Sequence, residues 1–198
     1  MAHSPHINDT DLDWTRLLCE QFHWHWDHQV RARLMGLSDD EYFWEPAVPA
    51  WNVRRRADVA ERDAAPIMAG TGDFSIDFAM AEPTPPPVTT IAWRLGHVIV
   101  GILGERNCAH FDGPPIDYQS FAYAGTANEA LVQLDDGVAR WLGGVKSLSP
   151  DELSQPCGEA EGLFADAPMA ELVLHINREL IHHLAEMALL RDLYAHRC

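Results

Sequence analysis

Glu179 and His183 stand four residues apart in the stretch Met169–His196, which neither Gly nor Pro interrupts. If that stretch is helical, a carboxylate and an imidazole at this spacing are neighbours on one face. Both side chains can then reach one metal ion. The same pair can equally hydrogen-bond each other, or partners on facing helices, and these residues alone leave both readings open. A third residue of interest, His97, sits between Gly96 and Val98 on the apolar side of an earlier helical pattern. A lone imidazole in that setting reads first as a satisfied core residue. His23, His25 and His28 are two, three and five apart, so no pair of them shares the four-residue spacing, and they read as surface or packing groups. Cys19, Cys108, Cys157 and Cys198 show no Cys-x-x-Cys spacing, which argues against a zinc knuckle or a redox pair.

Four amphipathic segments must position these groups. The last begins after Pro168, a residue that costs little at a first helical position. It carries Leu172, Ile176, Leu180, Met187, Leu190 and Tyr194 at helical spacing. The first runs from about Thr10 to Met35, capped by Asp9, Thr10 or Asp11, with Leu12, Cys19, Phe22 and Trp26 facing inward. Gly36 ends it, and Ser38 followed by Glu41 reads as a capping box for one further turn. The second long helix opens at Thr89 or Thr90 and runs to about Phe111. Its Gly101 and Gly104 would let another helix approach closely. Thr126, with Glu129 three residues on, caps a third helix reaching about Ser147.

The connections differ in length. Residues 45–88 read as one long crossover, in which DFSIDFAM alternates apolar and polar as a short strand does and EPTPPPV forms an extended tether. The stretch 112–124 is a Pro, Gly and aromatic loop. In the connection 149–167, Ser149–Pro150–Asp151–Glu152 starts one helical turn. The pattern predicts an all-α fold, a four-helix bundle with a long crossover connection, as one domain over residues 1–198.

Composition narrows the function. A formal charge of −16, with 14 Lys and Arg in all, argues against a nucleic-acid backbone as partner. No apolar run approaches the length a membrane span needs. The polar N-terminus and unpaired cysteines suit a reducing cytoplasm.

Three stretches together resemble the DinB/YfiT-like family, which includes the metal-binding domain of mycothiol-dependent maleylpyruvate isomerase. They are WHWDHQVRARLMGLSDDEYFWEP at 24–46, TTIAWRLGHVIVGI at 89–102 and HINRELIHHLAEMALLRDLY at 175–194. The resemblance implies a four-helix bundle binding a divalent metal of the zinc, nickel or iron class through three histidines. One lies at a position like His97, and two form His-x-x-x-His on the last helix. His183 matches the second of that pair; the first falls on Glu179 instead. Glutamate is a competent oxygen ligand, so the implied metal set is His97, Glu179 and His183. His175, one turn before Glu179, is a substitute ligand. His182 points about 100° away from His183 and is disfavoured.

Characterised relatives use a low-molecular-weight thiol such as mycothiol or bacillithiol, so the implied activity is a metal- and thiol-dependent transferase acting on a small molecule, and a homodimer. Arg178, Trp44, Trp51 and Trp93 are candidate pocket residues. The rival reading is a non-catalytic bundle that binds a small ligand or dimerises, with Glu179 and His183 as a buried polar pair.

Overall fold

The computed structural model describes residues 12–61, 65–81 and 83–197. Four long helices share one core. Helix α1 runs without a break through Trp14–His25, a wider π-helical segment Trp26–Val30, and Arg31–Leu34. A single turn, α2, spans Asp39–Tyr42. Helix α3 comprises Ile91–His97, a π-helical segment Val98–Gly104, and Glu105–His110. Helix α4 is Ala127–Ser147, α5 the short turn Pro150–Leu153, and α6 Met169–Ala195. α1 packs on α4 and α6, and α3 packs on the same two. Phe22, Leu34, Leu95, Leu103, Leu134, Trp141, Ile176, Leu180 and Leu184 are essentially sealed from solvent between them.

Helix starts follow cap chemistry. Asp13 accepts the Arg16 N–H at 2.9 Å, so α1 opens later than the periodicity suggests; Asp9, Thr10 and Asp11 lie outside the described residues. Thr90 caps α3 by accepting the Trp93 N–H, and Thr126 caps α4 by accepting that of Glu129. Ser149 and Glu152 form the full reciprocal box at α5. At α2 the expected box is half made. Ser38 accepts the Glu41 N–H, while the Glu41 carboxylate is drawn away to Arg191 of α6 at 2.6 Å.

The crossover is more ordered than its composition suggests. It folds into a three-stranded antiparallel sheet of β1 Val53–Arg55, β2 Ile67–Ala69 and β3 Phe74–Phe78, in the order β1-β3-β2. The strand expected at DFSIDFAM is its centre. Val53 and Ala69 both pair with Ile76. Ile76 faces α3 at Gly96, where an added Cβ would come within 2.8 Å of its Cδ1. The opposite face of β3 is polar yet buried. There Asp77 accepts the Asn52 N–H at 2.8 Å and Arg54 Nε at 2.9 Å, and Arg54 also reaches Glu45 and the Ala50 carbonyl. The Asn52 amide oxygen accepts the hydroxyl of Thr90, the α3 cap, at 2.8 Å. A continuous chain of buried hydrogen bonds thus ties the sheet to the start of α3.

Gly101 and Gly104 do not admit another helix. Side chains there would collide with Tyr118 and Ile116, both in the loop that follows α3.

Candidate metal centre

α3 and α6 bring His97 and His183 together, their ring centres 4.8 Å apart and nearly perpendicular. One turn earlier on α6, Glu179 places Oε2 3.8 Å from His183 Nε2. Its other oxygen lies 3.8 Å from His175 Nδ1, a turn further back. Glu179 therefore sits between two imidazoles on one helix face, as its four-residue spacing requires.

The outward nitrogens are held by groups that sequence reasoning passed over. His183 Nδ1 meets Glu186 Oε2 at 2.9 Å, and Arg94 Nη1 approaches the same nitrogen at 3.3 Å while ion-pairing with Glu186. His97 Nδ1 meets the Tyr118 hydroxyl at 2.5 Å. Both contacts engage Nδ1, and in the tautomer that carries the proton there Nε2 is the nitrogen available for coordination, the arrangement in which a second hydrogen bond orients a metal-ligating imidazole. Trp93, one turn before His97, stacks on its ring at 5.2 Å and 18°, and donates its indole N–H to the Asp77 carbonyl at 2.7 Å. Trp51 lies against Trp93 at 5.9 Å. Trp44 instead packs on Tyr194, and Arg178 is an exposed partner of His175 and Glu179.

Among the described residues, the donor atoms of His182, His183 and Glu186 lie within 4.8 Å of one another. That grouping suits a cation less well than its spacing suggests. Glu186 already neutralises the Arg94 guanidinium, whose positive charge opposes a second cation at the same carboxylate. The His182 side chain is 60% exposed, against 14% for His183.

The electrostatics favour neutral imidazoles. Burial first, then His183 and Arg94, lowers the His97 pKa to about 4. Burial also lowers that of His183, although Glu186 opposes the shift. A neutral imidazole is the form that ligates metal. In the metal-free protein the unfolded chain protonates His97 near pH 6.5 and the folded chain only near 4. Between those values the unfolded state binds more protons, so stability falls as pH drops through 6.5 and levels off near 4. The loss reaches roughly 3 kcal/mol. Denaturant titrations across this range should show a steeper loss for wild type than for His97→Gln. Equal slopes would mean that His97 is not held neutral.

A cavity of 840 Å³ lies elsewhere, between α3, the following loop and α4. Ile99, Asn107, His110, Phe111, Phe121 and Arg140 are among its lining residues. None of the three implied ligands lines it.

A mostly helical fold with a small three-stranded sheet in its crossover brings the α3 and α6 histidines side by side. The chain belongs to the DinB superfamily, whose family model matches residues 21–187. Neither a search of curated proteins nor one of solved structures found a match. Among the described residues, no helix is long and apolar enough to cross a membrane.

Proposed function

We propose that this protein is a metal-dependent transferase that uses a low-molecular-weight thiol, with His97, Glu179 and His183 as the metal ligands. The observation that carries the reading is the pairing of His97 with His183 at 4.8 Å, each Nδ1 engaged by a separate partner and His183 Nε2 turned toward Glu179. Two imidazoles and one carboxylate fit a zinc, nickel or iron ion and leave coordination positions open. A bound metal would supply Lewis acidity, keeping a thiol as its reactive thiolate. In the transfer the sulfur forms a bond to an electrophilic carbon, whose leaving group departs with the bonding electron pair.

The chain's own side chains do the positioning. Glu186 orients His183 and balances Arg94. Trp93 covers one face of His97. Glu179, in place of a neutral imidazole, lowers the net charge of the ligand set and so weakens its pull on the thiol proton relative to three histidines.

A second reading, small-ligand binding without catalysis, is favoured by the 840 Å³ cavity, which falls within the usual range for small-molecule sites. In it Glu179 and His183 are a polar pair only. Elemental analysis of the purified protein separates the two readings. Near-stoichiometric transition metal in the wild type, lost in both His97→Ala and Glu179→Ala, is the expected result. No uptake after incubation with zinc, nickel, iron and manganese would overturn the metal reading and leave the binding bundle.

A further inference from the structure

We propose that Tyr118 is the positioning residue for His97. It accepts the Nδ1–H of the imidazole, so that Nε2 carries the free lone pair, and the absence of a side chain at Gly101 is what lets it reach. As a role in metal binding this rests on the ligand set proposed above; as a statement about the imidazole it does not.

Several independent features hold the hydroxyl in place. The loop after α3 turns tightly at Asp117, whose carboxylate accepts the N–H groups of Gln119 at 2.7 Å and Ser120 at 2.8 Å. The Tyr118 carbonyl accepts the Tyr123 hydroxyl at 3.1 Å. Its ring leans on Phe78 of β3 at 5.0 Å. The hydroxyl then lies over Gly101, so closely that a Cβ there would overlap it. The π-helical segment Val98–Gly104, which contains Gly101, starts at the residue after His97. Such widened turns recur at functional sites because they re-aim the helix face. A glycine inside a helix costs stability relative to alanine. At Gly101 the compensation is this contact.

The tautomer decides whether His97 can ligate. If Nδ1–H donates to the tyrosine oxygen, Nε2 accepts a metal. If the tyrosine O–H donates to Nδ1, Nε2 carries the proton and cannot. Trp93 stacks on one face of the ring and holds its plane; turning the ring over within that plane would take Nδ1 away from the Tyr118 hydroxyl.

Two variants attack the contact in different ways. Tyr118→Phe removes the oxygen and keeps the ring; Gly101→Ala keeps the oxygen and displaces it. The nitrogen shifts of His97 are read by long-range proton–nitrogen NMR on metal-free protein, and cobalt(II) binding is titrated with its visible absorption bands as reporter. Wild type should show a protonated Nδ1, lost in both variants. Cobalt affinity should fall 10–100-fold in both, the usual effect of losing an orienting partner, with altered visible bands. Melting curves of the metal-free proteins identify any variant that has simply lost its fold, and Tyr118→Phe, which adds no atoms, is the one on which the result rests if Gly101→Ala unfolds.

A wild-type His97 protonated at Nε2 overturns the proposal. So do wild-type tautomer and cobalt affinity in Tyr118→Phe; the metal reading then stands alone. If wild type takes up no cobalt yet shows the expected tautomer change, the metal reading falls and the positioning of His97 by Tyr118 remains.

Discussion

Asp77→Ala is expected to lose about 3–5 kcal/mol of stability and, at temperatures where it remains folded, to hold metal more weakly than wild type. Asp77 is wholly buried. Burial raises its pKa even though the Asn52 N–H and the Arg54 guanidinium pull the other way. The carboxylate is therefore not an inexpensive ion pair; its value lies in what it satisfies. Removing it leaves the Asn52 N–H without its acceptor. It also leaves the Arg54 side chain, 9% exposed, with only Glu45 and a backbone carbonyl. Breaking one partner out of a buried pair is among the few single changes that reach this size.

The effect on metal follows from connectivity. Asn52 holds Thr90, Thr90 caps α3, and Trp93 leans on both the Asp77 carbonyl and His97. Chemical denaturation and a metal titration measure the two effects separately. Asp77→Asn, which keeps an acceptor oxygen for Asn52, should lie between wild type and Asp77→Ala on both. Unchanged metal affinity in Asp77→Ala would show that the sheet does not steady the site.

Trp141→Ala is expected to cost a similar 3–5 kcal/mol, with a melting point lower by roughly 6–20 °C, and to leave metal affinity unchanged. Trp141 is fully buried on α4 and packs edge-on against Phe111 at 5.4 Å. Its indole N–H donates to Asn177 Oδ1 at 3.2 Å, and Asn177 in turn donates to the Leu18 carbonyl at 2.8 Å. One indole thus joins α4, α6 and α1. Alanine would leave a large cavity and an orphaned amide oxygen. Among the described residues, beyond the bond they share, the hydrogen bonds and ring contacts of Trp141 and Asn177 run to Phe111, Leu18 and Gln21, and those of His97, Glu179 and His183 to other groups. The contrast is the test: two variants of comparable instability, with only the one wired to α3 losing metal. Metal loss in both would mean that affinity follows global stability.

The elements themselves were written in local chemistry. Periodicity located all four long helices, and the side chains of Thr90, Thr126 and Ser149 marked starts that the structure keeps, because a cap is satisfied within three residues of itself. The spacing of Glu179 and His183 likewise made them neighbours whatever the rest of the chain did.

The sheet was half legible. Alternation located β3, but its partners depend on pairings 7 to 23 residues away, and the burial of Ser75 and Asp77 breaks the polar-out rule that such a pattern implies. Glu186 could have been found from its position three residues after His183, and Arg94 from its position three residues before His97. Neither choice of partner could. Arg94 meets Glu186 across 92 residues, and Tyr118 meets His97 from a loop whose sequence says only that it turns. The sequence by itself determined which helices form and which side chains share a face, since those follow from a fixed helical repeat. Only the tertiary structure decided that His97 faces His183, and which groups hold each ring, because packing of whole elements, not spacing along one of them, brings those atoms within hydrogen-bond reach.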